Sequence, residues 1–342
     1  MNRLTKFSWV VGALLLLAAP YLGLYPVLLM KILCFALFAC AFNLLLGFTG
    51  LLSFGHAMFF GSAGYTAGYA MKAWGATPEI GLLLGTLVAA LAGLLVGSLA
   101  IRRQGIYFAM ITLALAQMVY FIALQAKFTG GEDGLQGVPR GQLFGLIDLR
   151  NDLTMYYVSL VIVVAAFLLI ARTVRSPFGQ VLKGIKENES RALSLGYDVS
   201  RYKLLAFMIS AALSGLAGSL KTLVLGFATL SDVHWSASGQ VILMTLVGGL
   251  GTLSGPLFGS AVVVVLENKI GEFGHMLARI THIDWFNTLG ESVTMVTGLI
   301  FVVCVLAFRR GIMGEVLSFV ERLRGRANSH RLNPSDPIAN GR

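Results

Sequence analysis

The side chains able to do chemistry are few and scattered. Five histidines occur, His56, His234, His275, His282 and His330, and none belongs to an H-E-x-x-H zinc motif. The three cysteines, Cys34, Cys40 and Cys304, lie inside apolar runs without C-x-x-C spacing. They read as buried, inert thiols. No G-x-S-x-G turn presents a nucleophile. The Gly-rich stretch Gly248 to Gly255 lacks the lysine of a phosphate loop, so the chain is not expected to hydrolyse ATP alone. Among the histidines only His56 falls in a segment apolar enough to lie in a membrane. Its first reading is a neutral imidazole bonded to a neighbouring helix; its second is a place on a solute path. The inventory points away from an enzyme, a bound metal or a bound cofactor.

The elements that would position these groups are membrane helices. The chain has 342 residues, 56% hydrophobic and 12% charged, where a soluble domain carries roughly a quarter charged residues. Glycine is abundant (40) and proline scarce (8), a balance that suits closely packed membrane helices. Apolar runs of about 20 residues, the length that spans a bilayer, lie near 8–25, 28–47, 80–101, 105–126, 154–172, 204–227 and 288–308. Weaker Gly-rich or short segments lie near 51–71, 237–250 and 255–270 and are candidates for broken or re-entrant passes. The expected fold class is all-α: a polytopic transmembrane helix bundle of about ten spans, since only a helix satisfies its own backbone in lipid. Residues 1–325 form one membrane domain and 326–342 a polar tail. The first run follows Arg3 and Lys6 but no small-residue cleavage site, so it reads as a retained helix.

The net charge of +10 is a topology signal rather than a nucleic-acid footprint. With the N-terminus in the cytoplasm and every segment crossing, the cytoplasmic stretches hold 18 of the 26 Lys and Arg and 6 of the 16 acids. That bias predicts cytoplasmic N- and C-termini. The exterior loop, 127–153, contains Thr129-Gly-Gly-Glu-Asp-Gly-Leu-Gln-Gly-Val-Pro139, whose glycines predict tight turns. The cytoplasmic loop, 173–203, reads as a helix. Ser176 suits its N-cap, Pro177 its first position and Gly196 its stop. Val181, Ile185, Ala192 and Leu193 form an apolar stripe. Lys183, Glu187 and Arg191 are spaced four apart, so Glu187 is placed to pair with both.

Small residues recur at helical spacing. Gly81, Gly85, Ala89, Gly93 and Gly97 make one row, Ser53, Ala57, Gly61, Gly64 and Gly68 a second, and Gly251, Gly255 and Gly259 a third. Each predicts a face that another helix approaches closely. Phe60-Gly-Ser-Ala63 recurs as Phe258-Gly-Ser-Ala261, through either parallel duplication or chance. Lys31, Lys221 and Glu267 are the ionisable exceptions within the spans. Snorkelling toward an interface explains them, with a Lys221–Glu267 pair as the alternative. The polar candidates for a translocation path are therefore neutral: Asn43, Thr49, Ser53, His56, Thr112, Gln117 and Thr245. For any one of them, a bond across helices is the first reading. Such a conduit has no visible energy source, and the 176–203 segment is the part an external motor could grip.

Read in order, several motifs resemble the permeases of branched-chain amino acid ABC importers, in particular the LivM-like subunit. They begin with Asn43-Leu-Leu-Leu-Gly47, Gly50-Leu-Leu-Ser-Phe-Gly-His56 and the Thr129-Gly-Gly loop. Ser176-Pro-Phe-Gly-Gln-Val-Leu-Lys-Gly-Ile-Lys-Glu-Asn-Glu189 continues through Ser194-Leu-Gly196 to Lys203-Leu-Leu-Ala-Phe207. Ser210-Ala-Ala and Gly248-Gly249 to Gly255-Pro256 complete the series. The resemblance covers about residues 28–312. It implies alternating access within an assembly in a bacterial inner membrane: a sister permease, two cytoplasmic ATP-binding subunits that use ATP and Mg, and a periplasmic substrate-binding protein. It also implies that Glu187, Asn188, Glu189, Arg191 and Gly196 form the coupling segment seated on an ATPase. Here Glu189 and Gly196 are seven apart where the importer signature has six, and Ser190 replaces its first alanine. Leucine, isoleucine or valine is the first expectation for the solute. Urea, short amides or other amino acids come next. A stand-alone channel or secondary transporter is the remote alternative, and would need mid-membrane carboxylates.

Overall fold

The computed structural model describes residues 16–23 and 25–281, together with 298, 299 and 302. Most of the apolar run expected at 288–308, the first half of that at 8–25 and the tail from 326 lie outside these residues. Among the described residues ten α-helices are bounded, in order: α1 (Pro26–Thr49), α2 (His56–Ala73), α3 (Pro78–Ala100), α4 (Ile106–Gln125), α5 (Asp152–Arg175), α6 (Pro177–Glu187), α7 (Glu189–Ser194), α8 (Val199–Leu225), α9 (Trp235–Gly248) and α10 (Gly255–Thr281). Five of them, α1, α3, α4, α5 and α8, are long and apolar enough to cross a membrane. This is a mostly helical membrane bundle, and among the described residues the count of such spans is five.

Helix α1 is apolar all round and is buried from Leu33 to Leu45 without interruption, as expected of a helix with protein on every side. Helix α8 packs beside it, and α2 and α3 complete the centre. The α3–α8 contact is built on the first glycine row. A Cβ on Gly93 would stand 2.5 Å from Ala211 Cβ, and one on Gly97 2.8 Å from Leu204. Gly85 rests against Ser219, and Ala89 fills the space beside Gly215. The two helices therefore zip antiparallel, one small residue per turn. Gly81 departs from the pattern, because it faces Met71 of α2 instead. The outer face of α3 is a stripe of Ile80, Leu83, Leu87, Leu91, Leu95 and Leu99.

The basic end of the bundle carries the C-terminus of α1, the N-terminus of α8 and the α6–α7 segment. At the opposite end the 126–151 connection is pinned by four two-residue strands, a small addition to the all-α expectation. Strand β1 (Leu135–Gln136) pairs antiparallel with β4 (Phe227–Ala228), and β2 (Gln142–Leu143) with β3 (Ile147–Asp148). The glycines of this loop do turn the chain: Gly130, Gly134 and Gly137 all have left-handed φ.

The 173–203 loop differs from its expected form. It is two helices, because Asn188 is extended (φ −157°, ψ 100°) and its side chain accepts from the Arg191 amide to start α7. Ser176 does cap α6, accepting from the Gly179 amide at 3.3 Å. The break rotates α7 relative to α6. Val181, Ile185 and Ala192 still pack together with Val199 and Tyr202, while Leu193 turns outward and is 56% exposed. No ion pair joins Glu187 to Lys183 or Arg191 among the described residues; the pair that forms is Lys203–Glu189 at 2.7 Å.

Replacing Gly93 with valine should overpack the α3–α8 seam and cost about 1–3 kcal/mol. Leu91→Val on the outer face should cost little. Thermal aggregation midpoints of the two variants in detergent check this, and equal midpoints would contradict the close approach.

Candidate functional site

Two helices begin inside the bundle rather than at its ends. Helix α1 ends at Thr49, and residues 51–55 then run without regular structure to His56. His56 is level with the middle of the bundle. Its Nε2 lies 2.9 Å from Ser210 Oγ, and Ser210 donates its proton to the Ala41 carbonyl at 2.6 Å. Ala41 stands eight residues before the end of α1, roughly 12 Å at 1.5 Å per residue. Because the Ser210 proton is committed to Ala41, Ser210 Oγ accepts from His56, which places the imidazole proton on Nε2. Phe42, Phe59 and Phe207 stand edge-on around the ring, and no partner among the described residues reaches Nδ1.

Helix α9 starts at nearly the same depth and runs the other way, toward the basic end. The Ala57 amide at the first turn of α2 donates to Ser238 Oγ at 2.8 Å, near the first turn of α9. His234 caps α9 and meets the ring of Tyr120 on α4, centroids 5.1 Å apart. At 14 residues α9 is about 21 Å long, too short for the roughly 30 Å hydrocarbon core. Its far end closes on α1 through Asn43. The Asn43 amide donates to the Thr252 carbonyl at 2.8 Å and its oxygen accepts from the Gly251 amide at 3.1 Å. Gly251, at φ 73°, makes that turn. Gly255 and Gly259 let α10 close against Gly248.

The neutral path candidates mostly spend their polar atoms on backbone. Thr49 donates to Leu44, Thr245 to Val241, and Thr112 to Ala109 while accepting from the Phe54 amide. Ser53 accepts from the Gly55 amide. Ser53, His56 and Thr112 come together around the irregular 51–55 segment, whereas Asn43 of α1 and Thr245 of α9 lie where those two helices meet. Gln117 stands apart from the rest. It is half-buried and makes no hydrogen bond to a described residue, and it shares a face of α4 with the exposed Met110, seven residues before it, and Phe121, four after it. Beside the first turn of α4 an apolar cavity of about 440 Å³ is lined by Gly50, Leu51, Leu52, Phe54, Ile106 and Phe108 among others.

The ionisable exceptions pair differently from the alternative raised for them. Lys221 is held by Asp232 at 2.6 Å and Glu267 accepts from Gln240 at 2.5 Å. The 226–234 connection folds back into the bundle, which brings Asp232 to Lys221 before Glu267 can reach it. The Phe-Gly-Ser-Ala repeat shares a local feature, since Ser62 and Ser260 both bond back three residues. Its surroundings differ: Phe60 stacks on Phe38 in the core and Phe258 is 54% exposed.

At the basic end the proposed coupling residues Glu187, Asn188, Arg191 and Gly196 are exposed, and Glu189 is partly buried by its pair with Lys203. The contact that the sequence did not disclose is Lys186. Its Nζ donates to the Gly47 carbonyl at 2.7 Å, and Lys183 lies 5.8 Å over the ring of Phe48. Two cations of α6 thus hold the carbonyl end of α1, where a helix carries partial negative charge. Ser210 and Ser238, which tie α2 to its neighbours, also carry no signal in composition or spacing.

Residues 26–307 match the family described as branched-chain amino acid transport system, permease component. Over 259 residues the chain is 30% identical to the high-affinity branched-chain amino acid transport system permease protein LivM of Escherichia coli (strain K12), covering 68% of this chain and 60% of that one. It is 30% identical over 183 residues to a tyrosine transport system permease protein of Clostridioides difficile (52% of this chain, 58% of that one). It is 28% identical over 165 residues to the ribose import permease protein RbsC of Bacillus subtilis (47% and 51%). The chain thus spans about three fifths of the length of the LivM relative it matches. No solved structure matches it.

Asn43→Leu should leave the part-buried Gly251 amide and Thr252 carbonyl unpaired, at a cost of at most about 1–3 kcal/mol for each. Proteolysis of the detergent-solubilised variant should then begin in the 249–254 turn. A cleavage pattern identical to that of the parent chain would refute the clamp.

Proposed function

We propose, for a chain that belongs to the family of branched-chain amino acid transport system permease components, that it is one membrane subunit of an ATP-binding-cassette importer for leucine, isoleucine and valine. The observation that carries the reading is the family match across residues 26–307, falling on an apolar bundle in which two helices start mid-depth. Broken helices of this kind place backbone polar groups where a membrane solute is handled. The chain itself is not the enzyme. ATP and Mg belong to two cytoplasmic ATP-binding subunits, and an exterior substrate-binding protein supplies affinity. A sister permease completes the path. In this reading the protein is a multi-pass inner-membrane protein with its basic end and both termini in the cytoplasm.

The geometry supports a route from motor to path. An ATPase that seats the exposed Glu187, Asn188, Arg191 and Leu193 would move α6 and α7 together. Lys186 and Lys183 pass that displacement to the end of α1. Asn43, one turn before Gly47, passes it to the α9–α10 turn. Each link is a directed hydrogen bond or a cation held over a ring, so the segment moves as a body rather than as a loose loop. On the path side, α4 and the first turn of α9 offer the free amide of Gln117 together with Tyr120, His234 and Trp235. We place the solute route along that face, shared with the sister subunit, and the apolar cavity beside Leu51 and Ile106 near its inner mouth. An uncharged, amphipathic wall of this kind suits a zwitterion with an aliphatic side chain. The tyrosine and ribose relatives make other amino acids or small polar solutes the second reading.

Cells lacking the gene should lose uptake of labelled leucine at sub-micromolar concentration. Restoration should rescue it, with unlabelled valine and isoleucine competing. Indifference of leucine uptake to the gene would sink the solute assignment, and labelled tyrosine, ribose and urea would be tried in turn. Lys186→Met should lower uptake roughly tenfold or more while the ATPase remains active, since a hydrogen bond from a charged donor contributes about 1.5–3 kcal/mol. Unchanged uptake would remove Lys186 from the coupling route. Gln117→Cys should react with a water-soluble thiol reagent in the assembled transporter and Leu87→Cys on the outer face of α3 should not; the reverse order would move the path off α4.

A further inference from the structure

The end of the bundle opposite the basic one carries an apolar projection that neither the core nor the proposed path uses. The β2–β3 hairpin turns through Phe144, Gly145 and Leu146. Phe144 is 69% exposed and Leu146 88%, with Ile147 exposed beside them. Phe144 is also the one non-glycine among the described residues with a positive φ, 51°, a conformation that a side chain with a Cβ disfavours. The turn is held there from outside. The Phe144 amide donates to Glu79 Oε2 at 3.3 Å, at the start of α3. Leu149 closes the hairpin by donating to the Gly141 carbonyl at 3.2 Å. The exposed apolar area of Phe144 and Leu146 is what needs a cover.

The surface beneath the tip indicates the cover. Glu79 is beside the head of the Ile80, Leu83, Leu87, Leu91 stripe, the all-aliphatic outer face of α3. A membrane helix turns such a face to acyl chains, and the hairpin extends it by one more layer. The same end is marked by amphipathic rings. Trp74, 68% exposed, closes α2, and the exposed Tyr25 precedes α1. Trp and Tyr in such positions gather at the membrane–water boundary. Gln142 and Asp148, which pair across the hairpin stem, provide a polar base above the apolar tip.

We propose that the 142–148 hairpin is an interfacial anchor. Phe144 and Leu146 enter the headgroup–acyl boundary of the leaflet at this end, and Glu79 fixes the tip over α3. The anchor rests on the bundle being embedded in lipid and is independent of the solute. The hairpin would thereby hold the 126–151 loop at a set height while the helices beneath it move.

The test uses the assembled transporter in vesicles of phosphatidylethanolamine and phosphatidylglycerol. Leu146→Cys, in a Cys304→Ala background, carries an environment-sensitive fluorophore, and Glu132→Cys on the same loop is the aqueous control. Lipids spin-labelled near the headgroup should quench the label at 146 at least about twofold more than at 132, the behaviour of a side chain in the interface. Ile147→Cys serves as a second site should the first variant fail to assemble. Adding Phe144→Gly, which suits the left-handed turn, should keep the hairpin and lower the quenching at 146. Equal quenching at 146 and 132 would overturn the proposal. So would a label at 146 that responds only when an exterior binding protein is added, since the tip would then be a protein-docking knob.

Discussion

Everything in this bundle is arranged around one constraint: a backbone amide or carbonyl in hydrocarbon must find a partner inside the protein. Continuous helices meet it by themselves. Helices α2 and α9 do not, because both begin at mid-depth and leave first-turn amides without helical partners. The chain answers with side chains carried on neighbouring helices. Ser238 takes the Ala57 amide, Thr112 takes the Phe54 amide, and Ser210 links His56 to the Ala41 carbonyl. Lys186 does the same for the last turn of α1. Some polar residues inside the bundle are thus repairs to interrupted backbone, while others, such as Thr245 and Thr66, bond back within their own helices. The interruptions persist because irregular backbone at membrane depth is tolerated where protein or a water-filled path surrounds it.

Small residues make that arrangement possible. Helices must come close enough for short serine and threonine side chains to cross from one backbone to the next. The α3–α8 seam and the Gly248–Gly255–Gly259 contact achieve this with residues that have little or no side chain. In lipid, helix association gains nothing from hiding apolar surface from water, so close van der Waals packing carries it. The buried ion pair Lys221–Asp232 adds a directional tie, drawing the 226–234 connection into the bundle next to α2.

Much of this was legible in the residues and some of it was not. Five of the strong apolar runs, the glycine turns of the 127–153 loop and the cap at Ser176 derive from length, composition and local rules, and the structure places them accordingly. The glycine row on α3 announced a close contact, though not which helix would fill it. What failed were inferences about pairing. A spacing of four suggested that Glu187 binds Lys183 and Arg191, but the extended Asn188 ends the helix between Glu187 and Arg191, Lys183 lies over the ring of Phe48, and Glu189 pairs with Lys203. Lys221 was set against Glu267 by depth alone, and a fold-back of the connecting chain gave it Asp232. The path candidates Asn43, Ser53 and Thr112 were chosen for being polar within apolar stretches, which marks equally well the groups that mend a broken helix. Partners 58 to 209 residues apart leave no local trace, so only the fold discloses them.

The Asn43 clamp has a consequence for how the protein is made. Helix α1 enters the membrane early in synthesis, and its amide partners, Gly251 and Thr252, emerge more than two hundred residues later. Until then the most enclosed helix of the bundle has an unpaired amide and no neighbours on its α9 side. Assembly is therefore gated by the C-terminal half of the chain, and a nascent or truncated subunit displays a polar group in lipid that the finished one conceals. That amide distinguishes an incomplete subunit from a complete one.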